Sequence, residues 1–300
     1  MSDFILSIDG TEAGARLALI LALVSAVAHA SFGALQKGRH DPWLSRGAID
    51  ACYGMMALPM ALLLTPLPSA GLWWALAGAW GIHVVYKFLQ AMAYSRGAYT
   101  VVYPVARGMG PLATVALAGI VFGESFSGGQ WGGVALLSGG IMALAAVNLR
   151  GHPLGWRDMA PAIGLALLTG VMIALYTTYD AWGIRLADDP LTFLLWFFVV
   201  DGWTFPLIAA WRVRTQRSPA SPLRPLLARG LLGALIAFLS FGAVMLATRL
   251  DKVGEAAALR ETSVVFAGLI GWLVLGERVG PARAALMVVI ALGAIAVEFA

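Results

Sequence analysis

Charge is scarce in this chain. Lys, Arg, Asp and Glu make up 12% of its 300 residues, against about 25% in an ordinary soluble domain. That deficit excludes a soluble globular protein. Cysteine is nearly absent. The single Cys52 excludes an intramolecular disulfide framework and a cysteine-based zinc site. No His, Cys and carboxylate cluster has zinc-like spacing, so neither a metal nor another cofactor is expected. The chain also lacks GxSxG, HExxH and a paired-aspartate motif, so it carries none of the usual constellations of an enzyme. The net charge of +4 does not call for nucleic acid, because basic loops on one side of a bilayer give the same sum.

What the chain has instead is apolar length. It is 60% hydrophobic, with mean hydropathy +0.82. A membrane-spanning helix needs roughly 20 apolar residues. Ten such runs are read, at about 17–36, 47–65, 71–94, 98–122, 130–148, 161–184, 191–211, 226–249, 253–275 and 281–299. The gaps are too short for a separate soluble domain. Runs this long and uniform fit helices, not barrel strands. The fold class expected is an all-α polytopic membrane protein of ten spans. "AHA" (Ala28–Ala30) resembles a signal-peptide cleavage site. The preceding Asp3, Asp9 and Glu12 oppose that reading, because a signal peptide begins with positive charge.

Loop charge sets the orientation. Lys37, Arg39, Arg46, Arg96, Arg150, Arg157, Arg212, Arg214, Arg217, Arg224, Arg278 and Arg283 fall on one side. Arg16, Arg185, Arg249 and Lys252 fall on the other, with most of the acids. The positive-inside rule places the first set in the cytoplasm of a bacterial-type inner membrane and both termini outside.

The two halves resemble each other. "LALVSAVAHA" (Leu21–Ala30) parallels "LALLTGVMIA" (Leu165–Ala174), and "FGE" (Phe122–Glu124) parallels "LGE" (Leu275–Glu277). The second offset carries Arg107 onto Arg260, Arg96 onto Arg249 and Met92 onto Met245. Pro59 and Pro206 occupy similar places. The expected organisation is two five-span repeats, 1–150 and 151–300, in one membrane domain. Five is odd, so the second repeat enters the bilayer inverted. Inverted repeats are typical of secondary transporters, with the substrate site near the midplane between the halves.

With its fourth spans ending in "GE" and its Gly-rich fifth spans, the chain resembles the drug/metabolite transporter superfamily, in its EamA-type branch. "ALRETSVVFAGLIGWLVLGE" (Ala258–Glu277) and "YPVARGMGPLATVALAGIVFGE" (Tyr103–Glu124) carry the likeness. It implies ten helices in two EamA-like repeats, a central cavity enclosed by the first four helices of each half, and peripheral fifth and tenth helices. It also implies transport of a small molecule, with amino-acid exporters a natural comparison. Many relatives keep their termini in the cytoplasm, whereas the loop charges here place them outside.

The membrane is a costly place for charge, at about 2.5–3.5 kcal/mol per residue on insertion scales. The third span carries Trp80, His83, Tyr86, Lys87, Gln90 and Tyr94 on one face, read as cavity-lining. Ser25, His29 and Phe32 form a narrower stripe in the first span. Tyr176, Thr177, Tyr179 and Asp180 cluster in the sixth. Tyr103, Arg107, Arg260 and Glu261 complete the substrate-binding candidates. Asp201, Glu261 and His83 are the candidates for carrying a coupling proton, histidine having a reference pKa near 6.5. These charges admit two readings: ion pairs between the halves, or a basic group holding a substrate carboxylate and an acid meeting an amino group. Three basic groups (Lys87, Arg107, Arg260) against two acids (Asp201, Glu261) suit a zwitterion or small anion.

Pro104 and Pro111 predict a break in the fourth span, while the ninth, without prolines, is expected to run unbroken. Gly119/Gly123 and Gly129/Gly133 are read as GxxxG packing motifs. Trp43, Trp73, Trp74, Trp131 and Trp211 are read as interfacial anchors. The function expected is secondary transport, by export of amino acids with aromatic or bulky neutral side chains. A multidrug or organic-anion exporter is the alternative within this class. A channel or an intramembrane enzyme is the alternative outside it. A small-molecule substrate, a proton and membrane lipid are the partners, and a monomer suffices.

Overall fold

A computed structural model describes residues 2–36, 41–150, 155–216, 223–274 and 279–300. Lys37, Arg39, Arg217, Glu277 and Arg278 fall outside these. The described residues are helical and connected by short turns. A short α1 (Ser2–Ile8) precedes α2 (Glu12–Gln36), α3 (Pro42–Leu64), α4 (Ala70–Arg96), α5 (Tyr99–Phe122) and α6 (Gly128–Arg150). The second half holds α7 (Trp156–Leu186), α8 (Pro190–Asp201), α9 (Thr204–Gln216), α10 (Leu223–Leu250), α11 (Val253–Arg260), α12 (Ser263–Leu273) and α13 (Pro281–Phe299). Helix therefore occupies every stretch read as apolar, and the chain is an all-α integral membrane protein.

Among the described residues, nine segments are long and apolar enough to cross a bilayer. The segment missing from those nine is α4, which is 27 residues long. Its polar stripe, His83, Lys87 and Gln90, is what dilutes its apolar character.

Local signals fix where helices start. Asp41 accepts hydrogen bonds from the Trp43 and Leu44 amides at 2.8 and 3.1 Å, with Pro42 in the first turn. Asp189 accepts from the Leu191 amide at 3.0 Å, ahead of Pro190. Each satisfies amides that have no partner within the helix, and proline there forfeits nothing.

The breaks differ from the sequence expectation. Despite Pro104 and Pro111, α5 continues as one helix. Pro104 cannot donate to the Thr100 carbonyl, but Asn148 Nδ2 does so at 2.8 Å. The ninth stretch is the broken one, between α11 and α12. There the Glu261 and Thr262 amides reach back only three residues, to Ala258 and Leu259, and Thr262 Oγ1 takes the Leu259 carbonyl at 2.6 Å. A threonine hydroxyl competing for a backbone carbonyl tightens the turn without any proline. The seventh stretch, read as continuous, is also split, between α8 and α9. Pro206 cannot donate to Gly202, and Gly202 lies so close to α3 that a Cβ there would sit 2.8 Å from Gly54 Cα.

Gly129 and Gly133 do serve packing. A Cβ on Gly133 would meet the Val297 amide at 2.7 Å, and one on Gly129 would meet Ala300 Cβ at 2.7 Å. The other GxxxG pair does not. Gly123 ends α5 in the left-handed region at φ 67°, with open space around its Cβ position. Its role is to cap. Trp73, Trp74, Trp131 and Trp211 are exposed, as anchors should be. Trp43 is buried, stacked on Phe205 and beneath Arg212.

The helix ends sort onto two faces. Hydrogen bonds join Ser2 to Asp189, Arg249 to Asp9, Glu124 to Val253, and Ser127 to Ala300. These residues gather both termini on one face. Between the faces, α2 packs on α10, α5 and α4 on α7, α3 on α8 and α9, and α13 on α6.

Candidate functional site

A cavity lies where α2, α3, α4, α5, α8 and α10 converge. It holds about 580 Å³ of empty space, solvent at its mouth included. His29, Tyr53, His83, Tyr86, Gln90, Tyr94, Tyr103, Phe198, Asp201 and Phe241 are among its lining residues. Gly33, Arg46 and Tyr99 stand near the helix ends remote from the termini, so the cavity approaches that face. Both halves contribute to its wall. Six of the candidate residues meet here: His83, Tyr86, Gln90, Tyr94, Tyr103 and Asp201. A polar stripe on α4 faces this space for an energetic reason: polar groups in a bilayer turn to protein or water.

At the termini face Glu124 and Gln130 join the two halves, and Arg185 ties α7 to the end of α10 within the second half. Glu124, just past the end of α5, accepts from the Val253 and Gly254 amides at 2.7 and 3.1 Å. It thereby caps α11, where a carboxylate also complements the helix dipole. Arg185 donates to the Thr248 and Asp251 carbonyls at 2.8 and 2.9 Å. Gln130 donates to Glu255 at 2.7 Å. The "GE" of the sequence thus joins a left-handed cap to a cap on another helix 129 residues away.

Most of the buried charges fall into three groups. Lys87 Nζ is a hub, 2.6 Å from Asp50 Oδ2, 2.6 Å from Asp201 Oδ2 and 2.8 Å from Tyr53 Oη. Tyr53 also donates to Asp201, and Arg46 Nε lies 2.7 Å from Asp50 Oδ1. Four charges, two of each sign, thus occupy one cluster across α3, α4 and α8. Asp50 escaped the sequence reading, although an acid four residues after Arg46 in an apolar run is the signal that could have found it.

In the second group, Arg107 donates to Glu261 Oε1 at 2.8 Å and contacts His29, with the Tyr103 ring beneath its guanidinium. Arg107 and Glu261 come from different halves. In the third, His83 Nε2 lies 2.8 Å from Asp180 Oδ2, also across the halves. The His83 ring packs against Tyr176, Phe197, Phe241 and Tyr86.

The remaining candidates lie elsewhere. Lys87 and Arg107 are buried beside the cavity, not among its lining residues. Trp80 is 40% exposed and donates to Thr204. Tyr179 packs on Trp182, its hydroxyl over Gly78. Tyr176 and Arg260 line a smaller cavity behind Phe241, and Arg260 and Glu261 another beside Pro111. The balance of three basic groups to two acids also changes, because Asp50 and Asp180 are buried as well. Among the described residues, no group of His, Cys, Asp and Glu is placed to hold a metal ion.

No curated protein matches this chain. A solved structure, described only as the crystal structure of a protein, superposes with a TM-score of 0.75 at 15% identity, covering 94% of this chain and 98% of that one. At that identity the likeness is one of fold. Residues 160–299, nearly all of the second half, match the model of the EamA-like transporter family.

Proposed function

We propose that the whole chain is an EamA-like secondary transporter that exports a small metabolite by alternating access around the central cavity. The observation that carries this reading is a cavity walled by both halves, which Glu124 and Gln130 join at the termini face, and directed to the opposite face. The two-repeat organisation is supported by the packing. Exchanging 1–150 with 151–300 turns α2 on α10 into α7 on α4, and α5 on α7 into the α11 and α12 contacts with α2. The α6 and α13 pair maps onto itself. An inverted repeat supplies two related conformations, in which each half takes the other's role.

The loop charges favour export. The cavity approaches the face carrying most of the Lys and Arg, which is cytoplasmic by the positive-inside rule. A substrate then loads from the cytoplasm of an inner-membrane protein. Amino acids with aromatic or bulky neutral side chains suit walls built from Tyr86, Tyr94, Tyr99, Tyr103, Phe197 and Phe198, which offer ring contacts and hydroxyls together. A cationic-drug exporter fits less well, because Arg46 lines the cavity and Lys87 stands close beside it. Of the three coupling candidates, Asp201 and Glu261 are held by Lys87 and Arg107, whereas His83 faces a carboxylate without a fixed cation. His83 is therefore the favoured proton carrier.

Proteoliposomes loaded with unlabelled L-phenylalanine or L-leucine test the reading. Saturable, trans-stimulated counterflow of the labelled amino acid is expected. Flux that is neither saturable nor trans-stimulated would indicate a channel, and no flux of any amino acid would remove the substrate class.

A further inference from the structure

The seven-residue α1 precedes the bilayer-spanning segments, and its join to α2 is fixed. Gly10 turns the chain in the left-handed region, at φ 68°, where a side chain would be strained. Thr11 Oγ1 accepts from the Gly14 amide at 3.2 Å, capping α2, and donates to the Ile8 carbonyl at 2.6 Å. The end of α1 presses so closely on α2 that a Cβ on Gly14 would overlap the Ile8 carbonyl oxygen. α1 is therefore an arm of the first half, held by α2 at a set angle.

That arm grips the second half at both of its ends. Ser2 donates to Asp189, the residue that caps α8. Arg249, in the last turn of α10, donates to Asp9 just past the end of α1. Between these contacts Ile5 is 4% exposed. It belongs to an apolar cluster with Ala18 and Ala22 of α2 and Ala247 and Leu250 of α10, and Leu191 of α8 packs against that cluster. Phe4 and Leu6, on either side of Ile5, are exposed. A helix this short is marginal by itself in water, so α1 depends on these few contacts. They are also easily given up: the Asp9 and Arg249 side chains are 35% and 14% exposed, and solvent-facing ion pairs are weak.

Glu124 and Gln130 join the halves where α5 and α6 meet α11. α1 joins them elsewhere, where α2 meets α8 and α10. We infer that α1 is a releasable strap: carried by α2 and hooked to Asp189 and Arg249, it holds the halves together at the termini face and biases the resting protein toward the arrangement open to the opposite face. The fixed elbow gives the strap its leverage. When α2 parts from α8 and α10, α1 leaves with α2, and both hooks must break. The inference rests on the transporter reading only for the requirement that this seam part during the cycle.

The test uses full-length protein in liposomes, with Cys52→Ser as the background. Spin labels on Ala13→Cys of α2 and Asp188→Cys before α8, both exposed, report the width of the seam by pulsed electron resonance. With α1 intact, a single short distance is expected to dominate. Asp9→Ala and Ile5→Asp should each add a longer distance, raising the ratio of open to closed by roughly tenfold, the scale of one ion pair or one apolar contact. Ile5→Leu keeps the apolar contact and should leave the distances unchanged. Asp9→Ala alters a partly exposed side chain, so a folded protein with unchanged distances would overturn the inference, as would an open population already dominant with α1 intact. A second arm bridges Asp9→Cys to Arg249→Cys, in the same background without the labels, using a short reducible reagent. Counterflow should stop on bridging and return on reduction, and counterflow that continues in bridged protein would overturn the strap. Absence of counterflow in every form would instead remove the transporter reading and leave the distances to decide on α1.

Discussion

Arg107 and Glu261 lie 2.8 Å apart, both side chains buried, one from each half of the chain. The repeat predicted that Arg107 and Arg260 would be a matched pair, and the structure gives them opposite circumstances. Arg107 is neutralised by the residue next to Arg260 in sequence. Glu261 stands at the turn that ends α11, and from there its carboxylate meets Arg107 of α5.

Removing one member of that pair should be costly. Arg107→Gln or Glu261→Gln is expected to lower stability by about 3–5 kcal/mol, because each leaves an uncompensated buried charge. The double substitution should recover most of the loss. Thermal unfolding of the four proteins in one detergent makes the cycle. If the two single losses simply add in the double mutant, the residues are not coupled.

The Lys87 hub gives an ordering. Lys87→Met leaves Asp201 facing only Tyr53, and its cost should approach about 3–5 kcal/mol, as for other buried ions stripped of a partner. Asp201→Asn leaves Lys87 with Asp50, so its cost should be smaller, about 1–3 kcal/mol. Asp201→Asn should also reduce counterflow and gradient-driven transport together, as a structural lesion does. Loss of the gradient-driven component alone would make Asp201 the proton carrier in place of His83.

How far the sequence reached depends on where each signal was written. The helical stretches were legible because hydrophobic length is a local property. So was the α4 stripe, since His83, Tyr86, Gln90 and Tyr94 stand out in an apolar helix and do line the cavity. Trp80 shares that spacing but sits outside the cavity, 40% exposed, its indole donating to Thr204 of α9. Asp50 was missed as a single acid in a second span that otherwise reads as apolar. Proline content alone does not set the break positions. The Asn148 side chain that relieves Pro104, and the Thr262 hydroxyl that tightens the α11 end, act through contacts no propensity records. "GE" was visible as a motif, but its meaning lay on another helix.

That meaning can be tested directly. Glu124→Ala removes the cap of α11, at a cost of about 1 kcal/mol. Amide hydrogen exchange over Val253–Ala257 should accelerate several-fold, while exchange in α8 stays unchanged. Glu124→Gln, which keeps an acceptor, should show a smaller effect. Unaltered exchange in both variants would show that the cap does not hold the termini face closed.

The contact of α6 with α13 should tolerate no side chain at its centre. A Cβ on Gly293 would meet the Leu137 amide at 2.6 Å, and one on Gly133 would meet the Gly293 carbonyl at 2.8 Å. These are backbone atoms, so nothing flexible can yield. Gly293→Leu should separate the two helices and lower the melting temperature, whereas Gly139→Leu, on the same helix as Gly133 but facing open space, should not. Equal melting temperatures would mean that the α6 and α13 backbones are not in close contact.

Coupling supplies the last prediction. His83 touches Asp180 in front of it and is enclosed by the rings of Tyr86, Tyr176, Phe197 and Phe241. Lys87 lies one helical turn away but spends its charge on Asp50 and Asp201. Arg260 stands behind the Phe241 ring. Among the described residues, a proton on the imidazole would therefore be balanced by Asp180 and by no other carboxylate in contact with the ring. Adding it strengthens the bond between α4 and α7, and releasing it weakens that bond, which is what a carrier needs if protonation is to bias one arrangement of the halves over the other. His83→Gln keeps a hydrogen-bonding group of similar reach and cannot titrate. It should retain counterflow, in which no net proton movement is needed, and lose accumulation driven by a pH gradient. Accumulation that persists in His83→Gln would remove the histidine from coupling, and loss of counterflow as well would make its role that of a binding residue.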